Sequence, residues 1–419
     1  MTAPTLASSS RTQLAYRLEG VYPINFGVPP TSGDGKNLNM TSESLDYTVK
    51  NEMSKTIRSD RQVPSIVQLG ASAQGGFNFE LQYKEYDDLI EAVLQGDWVP
   101  HGAAGVSSDV GTVTLASGSI TASVAPTGAD AFTDLKKGQW FRFLPLSGAS
   151  PAVKAYLASR PFRVSLTTAP TSTVIVLDPA TPWDTAITTT SLPGGMIGSS
   201  YCVNAAKMRT FALEVGHRDI GRFRQYTGMT PSKMDLKLSS GAIVTGMFEF
   251  MGKSFNLLNT TTMGTATPSE SFTPANATRG VWDVLEGGVS VSSTTYVKSA
   301  DITIDNKIRA QDAVGVFGNA GVAAGTLNVT GKMQVYFADS TIYNKVLTGA
   351  ASSFTLPILD VDGNGYIIHL PSTKYMAAKV ATGGIDQDNM LDIDFATQLD
   401  PTSTSPTYQQ TVVVFRVGV

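Results

Sequence analysis

One short stretch of the sequence carries side chains that could bind a metal ion. Asp360-Val-Asp-Gly-Asn-Gly365 begins like a calcium-binding loop, in which oxygen ligands alternate along the chain. The twelfth position of such a loop should be glutamate, and Pro371 occupies it here. The flanking residues are typical of strands, and Asp-Gly and Asn-Gly are strong hairpin-turn signals. We therefore predict a hairpin turn at residues 360–365 and no calcium site.

Histidine and cysteine offer no recognisable metal or redox site. The three histidines, His101, His217 and His369, stand far from one another and from the single cysteine, Cys202. A zinc site needs several such ligands at close spacing, so we expect the histidines to be ordinary surface or interface residues. A single cysteine cannot form an intrachain disulfide, which excludes a disulfide-stabilised secreted scaffold.

Acidic pairs are the remaining candidates for catalysis. Asp87 and Asp88 are expected on the exposed face of a helix, and Asp392 and Asp394 on the polar face of a strand. Neither pair has a recognisable partner, and the sequence contains no G-x-S-x-G, phosphate-loop or H-E-x-x-H motif. We assign no catalytic residue, no metal ligand and no cofactor, and we interpret the protein as non-enzymatic.

The composition indicates a large β-rich protein whose surface carries little charge. Of its 419 residues 16% are charged, whereas about 25% is usual for soluble domains. The net charge of −4 excludes a nucleic-acid binder that relies on a basic surface. The first residues lack signal-peptide features, and no apolar run approaches the roughly 18 residues that span a bilayer. A plain Thr/Ser-rich β protein and a surface buried in an assembly both remain as explanations of the low charge.

Hydrophobic periodicity defines the elements that position these residues. Alternating apolar residues predict strands at 44–50 and 77–83, and again in the second part of the chain. Apolar residues three and four apart predict a helix over Tyr86 to Leu94, with Gly96 as its stop. Between these parts the chain is rich in Ala, Gly, Ser and Thr and carries short strands, which is typical of a small β-barrel.

The second part of the chain repeats the order of elements found in the first. Ser44–Asn51 aligns with Ser299–Asn306, Phe79 with Met333, and the helix before Gly96 with the one before Gly349. Because several such matches keep the same order, we infer a duplicated β unit. If such units form a closed ring, two units per chain halve the number of chains that the ring needs.

Segments near the N-terminus carry a family resemblance. They are Thr12-Gln-Leu-Ala-Tyr16, Asn25-Phe-Gly-Val-Pro29, Thr41-Ser-Glu-Ser-Leu-Asp-Tyr47 and Ser54-Lys-Thr-Ile-Arg-Ser-Asp-Arg-Gln62. These segments resemble the tail tube proteins, or major tail proteins, of long-tailed, non-contractile bacteriophages. The stretch Ile57-Arg-Ser-Asp-Arg61 is the most specific part. The resemblance covers most of residues 10–255, and many members of that family have one tube unit without the duplication.

The resemblance and the internal repeat together imply a mainly β fold with two tandem tail-tube-like β-sandwich units, each with one α-helix, and an inserted small β-barrel domain. The expected divisions follow the order of the chain. They are an N-terminal arm at 1–40 with little core of its own, a first tube unit at 41–100 plus 201–257, an inserted domain at 101–200 on the tube exterior, a linker at 258–285 and a second tube unit at 286–419.

The same resemblance implies a structural virion protein that polymerises into stacked rings and forms the tail tube, the conduit for genome delivery into the bacterial host. With two units per chain, the expected ring is a homotrimer with pseudo-sixfold symmetry. The expected partners are other copies of the chain, the tape measure protein, the tail terminator, distal tail or baseplate proteins, and viral DNA in transient passage. Assembly is expected in the host cytoplasm, without a membrane.

Two sets of charged residues are candidates for roles in such a tube. The polar faces of the strands before each helix suggest a mildly acidic lumen lined by Asp46, Glu80, Asp301, Asp305 and Lys332. The long loop at 51–76 is expected to reach the next ring, with four charged residues as interface candidates. These are Lys55, Arg58, Asp60 and Arg61.

Two other function classes remain open at this stage. A virion decoration or host-surface binding protein would use residues 101–200 as its binding domain. A wall-degrading tail enzyme would need a pair of carboxylates in catalytic geometry, which the sequence does not clearly offer.

Overall fold

The structure is a computed structural model of the 419-residue chain. It describes residues 7–28, 34–100, 109–116, 118–125, 132–143, 151, 161–178, 190–278, 284–293, 295–338, 340–382, 385–400 and 409–418.

Strands make up most of the described residues, which confirms the prediction of a mainly β protein. Two α-helices lie among them, α1 at Asp87–Leu94 and α2 at Thr341–Thr348. The strands, numbered in chain order, are β1 Thr12–Val21, β2 Lys36–Leu38, β3 Ser42–Glu43, β4 Asp46–Met53, β5 Ile66–Glu80, β6 Asp109–Ala116, β7 Ser119–Ala122, β8 Trp140–Phe143, β9 Phe162–Arg163, β10 Val174–Val176, β11 Thr190–Gly198, β12 Ser200–Val203, β13 Arg209–His217, β14 Arg222–Ser239, β15 Thr245–Gly252, β16 Ser254–Leu258, β17 Leu285–Glu286, β18 Val289–Ser290, β19 Val297–Asp305, β20 Arg309–Gln311, β21 Gly321–Ala323, β22 Asn328–Tyr336, β23 Ala351–Leu359, β24 Gly365–Ala381, β25 Met390–Gln398 and β26 Val413–Val417.

Two long strands organise the large sheet, because each changes neighbours along its length. The first part of β14 pairs with β13 and β16, and its last part pairs with β15 and β19. In the second half of the chain, the first part of β24 pairs with β23 and β26, and its last part pairs with β25. Each long strand therefore carries the chain from one layer of its half into the other.

The layers formed by the last parts of β14 and β24 join into one continuous band. Its antiparallel order is β4, β5, β15, β14, β19, β22, β25, β24. Apolar side chains such as Met234, Ile302 and Met333 point from this band into a buried core shared by both halves. Polar residues alternate with them and lie on the opposite face, as the two-residue period of a strand requires.

The inserted region, residues 101–200, contributes a separate six-stranded sheet in the order β10, β7, β6, β11, β8, β9. β12 follows it directly and belongs to the large sheet, where it pairs with β26 from the end of the chain. The inserted region thus connects α1 in the first half to a strand held by the second half.

The N-terminal segment differs from the expected arm. β1 pairs with β13 along most of its length and with β2 on its other edge. Leu14 and Tyr16 are buried in the main core. Apolar and polar residues alternate only weakly in the sequence of this segment, and the residues that follow it are rich in Pro and Gly. That pattern predicts an irregular arm and not a central strand.

Two further segments differ from their sequence-based interpretation. The expected loop at 51–76 is largely a hairpin, because β4 extends to Met53 and β5 begins at Ile66. The expected linker after residue 258 packs on the first half, where Met263 and Ala275 are buried. Buried Glu214 accepts hydrogen bonds from Thr261 and Thr262 and fixes the start of this segment.

Candidate assembly interface and polar sheet face

The two halves of the chain meet through a strand-to-strand junction. The last part of β14 pairs with β19 over seven residue pairs, from Lys233 opposite Asp305 to Ser239 opposite Ser299. Met234 and Leu236 on one side and Ile304 and Ile302 on the other are buried beneath this ladder. Hydrogen bonds and apolar burial therefore make the junction as continuous as any other pair in the sheet.

Helix α1 reinforces this junction from within the core. Asn306 donates a side-chain hydrogen bond of 2.7 Å to the carbonyl of Val93 near the end of the helix. Six of the eight residues of α1 are buried. In α2 only Ile342 is buried, and Leu347 is 71% exposed. The second half thus contacts the helix of the first half, whereas most residues of the second half's helix are exposed or partly exposed.

Asp87 is not the solvated helix residue that the sequence suggested. It is buried, accepts a hydrogen bond of 2.6 Å from the Tyr366 hydroxyl and pairs with the Arg416 guanidinium. Asp88 accepts a hydrogen bond of 2.5 Å from the Tyr16 hydroxyl. Both aromatic partners lie far away in the sequence, so the helical pattern alone could not reveal that these carboxylates are used.

The five predicted lumen residues lie on the polar face of the continuous band. Asp46 and Lys332 are exposed there, and Glu80, Asp301 and Asp305 are partly exposed. Asp301 lies directly opposite Lys332 in the ladder between β19 and β22. Asp305 forms an ion pair of 2.6 Å with Lys307 at the end of its strand. Asp46 and Glu80 lie on β4 and β5, apart from this central group.

The same face carries charged residues that the sequence analysis did not single out. Two of its cross-strand rows alternate in sign. One row contains Glu249, Lys233 and Asp305. The other contains Glu80, Thr245, Lys237, Asp301, Lys332 and Asp394. Alternation with the apolar residues Met234, Leu236 and Leu238 could have placed Lys233 and Lys237 on this face, but only the ladder shows which residues become neighbours.

Ion pairs join two lysines of this face to carboxylates. Lys233 lies 2.7 Å from Asp235 and 3.7 Å from Glu249, and its hydrogen bond to Asp235 raises the pKa of the ammonium group. Lys332 lies 3.7 Å from Asp394. Partial burial raises the pKa of Asp301, and nearby Lys237 and Lys332 act in the opposite direction.

The predicted inter-ring residues sit at the tip of the hairpin formed by β4 and β5. Arg58 donates two hydrogen bonds to Asp60, at 2.9 and 2.6 Å, and Lys55 lies 3.2 Å from Glu52. All four predicted residues, including Arg61, are exposed. Large apolar residues accompany them, since Ile57 is 97% exposed. The tip therefore presents both charged and apolar groups to its surroundings.

The remaining candidates from the sequence are the turn at residues 360–365 and the three histidines. β23 and β24 pair up to Leu359 opposite Gly365, which confirms the predicted hairpin turn. His369 is buried, contrary to the expected surface or interface position, because it lies in the buried first part of β24. Its Nδ1 is 2.7 Å from the Thr355 hydroxyl. Burial lowers the pKa of His369 to about 3. His217 is partly exposed, and His101 lies outside the described residues.

The inserted region is anchored to the second half by buried aromatic and charged side chains. Trp140 packs in a cluster with residues of the second half, namely Leu285, Ile367, Val413, Phe415 and Val417. Arg142 donates a hydrogen bond of 2.6 Å to the carbonyl of Gly363 in the hairpin turn between β23 and β24. Buried Arg163 pairs with Asp178 at 2.6 Å within the inserted region. The insertion therefore covers apolar surface that the second half would otherwise expose.

The described residues show neither a metal-ligand cluster nor a membrane-spanning helix. Among the described residues, no group of three or more His, Cys, Asp or Glu side chains is placed to hold a metal ion. Neither helix in the described part of the chain is long and apolar enough to cross a membrane. The prominent features are instead long paired strands, a largely exposed helix and a projecting hairpin.

Comparison with known proteins agrees with this description. A search of curated proteins found no match. The family model described as phage tail tube protein matches residues 9–397, which is nearly the whole chain. The match extends over both halves and the insertion, beyond the N-terminal region in which the resemblance is clearest. The chain therefore belongs to the phage tail tube protein family.

Proposed function

We propose that this structural phage tail protein assembles into rings of three chains with pseudo-sixfold symmetry. The rings stack into a tube through which the viral genome passes into the bacterial host. The observation that carries the proposal is the internal junction between β14 and β19. A chain that already joins its two halves by strand pairing has a ready geometry for joining one copy to the next.

The two outer edges of the continuous band support this geometry. At one end, residues 375–381 of β24 pair with β25 and have no second neighbouring strand among the described residues. At the other end, β4 pairs with β5 alone in the described part of the chain. Exposed strand edges readily pair with another chain. Repeating the band three times and joining these edges would close a barrel of 24 strands.

The difference between the two helices supports the same arrangement. Residues of the second half, such as Asn306 and Tyr366, contact α1, whereas Leu347 in α2 is 71% exposed. If the first half of a neighbouring copy docks on the second half, α2 gains contacts of the kind that α1 already has. Head-to-tail contacts of this kind close into a ring when the rotation between copies fits.

The polar face and the hairpin have distinct roles in this proposal. The polar face of the band lines the lumen, with Asp46, Glu80, Asp301, Asp305 and Lys332 among its residues. The hairpin tip, with Lys55, Arg58, Asp60 and Arg61, contacts the next ring of the stack. Its charged side chains fix the register between rings, and its apolar side chains, such as Ile57, contribute buried area.

The proposed tube has other proteins at its ends and in its lumen. It surrounds the tape measure protein during assembly in the host cytoplasm, and it joins a tail terminator at one end and distal tail or baseplate proteins at the other. In the mature virion, DNA passes through it without specific contacts. The inserted region lies on the outside, held by Trp140 and Arg142.

Electron microscopy of the purified protein tests the proposal. We expect rings or tubes with three chains per ring, and a mass measurement on isolated rings gives the chain count directly. A protein that stays monomeric at high concentration, even with tail initiation components present, would contradict tube formation. Tubes with six chains per ring would contradict the trimer but not the tube.

Disulfide trapping tests which edges meet in the ring. Lys379 and Ser42 are exposed residues near the two open edges. The double variant Lys379→Cys and Ser42→Cys should form intermolecular disulfides on assembly. The matched control, Lys379→Cys with Asp312→Cys, places the second thiol at an exposed position outside the band. Equal trapping in both variants would indicate non-specific collision.

A further inference from the structure

Two lysines on the polar face of the band, Lys332 and Lys233, lie between carboxylates. Lys332 lies directly opposite Asp301 on β19 and directly opposite Asp394 on β25. Lys233 lies opposite Asp305 on β19 and Glu249 on β15. Residues directly opposite in antiparallel strands have Cβ atoms only about 5 Å apart. Each of these two ammonium groups therefore has an acidic neighbour on both sides.

The third lysine of the rows shares its acidic neighbour. Lys237 lies opposite Asp301, which also faces Lys332. A groove of about 510 Å³ runs over this part of the face, and its charged lining consists of Asp235, Lys237, Asp301, Lys332 and Asp394. Three carboxylates and two ammonium groups leave the groove with a net negative charge.

Arginine is absent from the strands that form this face. The segments of the band, counting β14 from Thr230 onward, contain lysines but no arginine. The arginine guanidinium binds phosphate through two parallel hydrogen bonds, whereas the lysine ammonium acts as a point charge. Flanking carboxylates therefore offset the attraction of a lysine for phosphate more completely than that of an arginine, which also donates directed hydrogen bonds.

We propose that the alternating rows allow a DNA duplex to lie against this face without being held by it. A phosphate that approaches Lys332 or Lys233 meets two carboxylates at a similar distance, so the lysine's attraction is cancelled locally. Opposite charges across strands also stabilise the sheet, whereas like charges would destabilise it. The lysines thus keep the sheet stable, and the carboxylates keep the lysines from binding phosphate.

This inference rests on the proposed function for its biological meaning, but it can be tested on the unassembled protein. The test variant is Asp301→Asn with Asp394→Asn, which frees Lys332 and Lys237 while preserving side-chain shape. The matched control is Asp312→Asn with Asp388→Asn, which removes two exposed acids outside the face. Both variants change the net charge equally. Binding of a short fluorescent DNA duplex is measured between about 50 and 200 mM salt.

We expect no measurable binding for the wild type and the control, and clear binding for the test variant at low salt. Each phosphate that a freed lysine contacts should make affinity fall about 3.5-fold over that salt range, because the salt slope is about 0.9 per contact. Adding Lys332→Gln to the test variant should remove a large part of the gained affinity.

Three results would overturn the inference: wild-type protein that binds the duplex, equal binding by the test and control variants, or no gain in the test variant. Failure of the proposed function looks different. If the protein never forms rings but the test variant gains DNA binding, the inference about the face stands and the tube proposal fails. If wild-type tubes form but the test variant gains no DNA binding, the tube proposal stands and the inference about the face fails.

Discussion

The Tyr366 hydroxyl donates a 2.6 Å hydrogen bond to the carboxylate of Asp87, 279 positions earlier in the sequence. The same carboxylate pairs with Arg416, and the Arg416 guanidinium lies 5.1 Å from the centre of the Trp98 ring. Burial and the nearby Asp87 carboxylate raise the pKa of Tyr366 well above its usual value. This contact fastens α1 of the first half to two strands of the second half.

Asp87→Asn should weaken this fastening. The substitution keeps a hydrogen-bond acceptor for Tyr366 but leaves Arg416 without its carboxylate, and the side chains of Asp87 and Arg416 are only 12% and 25% exposed. We expect the free energy of unfolding to fall by about 2 kcal/mol, less than for a fully buried pair. Denaturant titration measures it. Asp88→Asn, which removes the neighbouring charge on the same helix turn, should cost clearly less, and an equal loss would count against the ion pair.

His369 should make the protein sensitive to acid. The folded state keeps the ring neutral, with its pKa lowered to about 3 by burial, whereas the unfolded chain takes up a proton below about pH 6.5. The stabilising contribution is therefore complete above about pH 6.5 and is lost as the pH falls towards 3, by up to about 1.4 kcal/mol per pH unit. In His369→Gln, whose side chain stays neutral, unfolding curves across this range should lack that component. Identical pH profiles for the two proteins would show that His369 does not cause the acid sensitivity.

Trp140→Ala should destabilise the second half of the chain even though Trp140 belongs to the insertion. The side chain is 2% exposed and packs on apolar residues such as Ile367 and Phe415, so its removal should cost about 3 kcal/mol. Leu166→Ala, at a 43% exposed position of the same region, should change the free energy of unfolding by less than about 0.5 kcal/mol.

Deletion of residues 102–199 should produce insoluble protein, because it exposes the apolar residues of the second half on which Trp140 packs. Soluble, tube-forming deletion variants would show that the insertion is dispensable.

Ile57→Ser should impair polymerisation without changing the stability of the unassembled protein. Ile57 is 97% exposed at the hairpin tip, so its loss removes contact area only if another ring covers it. We expect the concentration at which tubes first appear to rise several-fold, as the loss of about 1 kcal/mol per contact predicts. Light scattering follows the onset of assembly. Ile385→Ser, at a 94% exposed position in the turn before β25, serves as the control.

Local patterns predicted the strands, both helices and the hairpin turn at 360–365, because each depends on neighbouring residues. The helix of the second half ends at Gly349, whose φ of 66° suits glycine, as that pattern indicated. Patterns of this kind could not place Asp87 opposite Tyr366 or Trp140 on Ile367, since those contacts depend on how distant segments pack. β1 was missed because its burial comes from pairing with β13, nearly two hundred residues later.

The charge order on the polar face also depends on contacts between distant segments, which local sequence patterns do not predict. The alternation of Met234, Leu236 and Leu238 fixes which side of β14 its lysines occupy, but a strand carries no information about its partner's register. Only the ladder brings Lys332 between Asp301 and Asp394. The sequence predicts a mildly acidic face, but it could not give the order in which the charges alternate across the strands.

The junction between β14 and β19 has a consequence for how a ring would assemble. In a ring of six units built from three chains, three of the six junctions form when each chain folds. Only two association steps then remain, where six separate units would need five, and each step costs several kcal/mol of lost translational and rotational freedom. The last junction closes within the ring. Each incoming chain also brings two units already at the correct spacing, so its second unit is positioned at high effective concentration. Covalent tandem units thus shift part of the entropic cost of ring closure from assembly to the folding of the single chain.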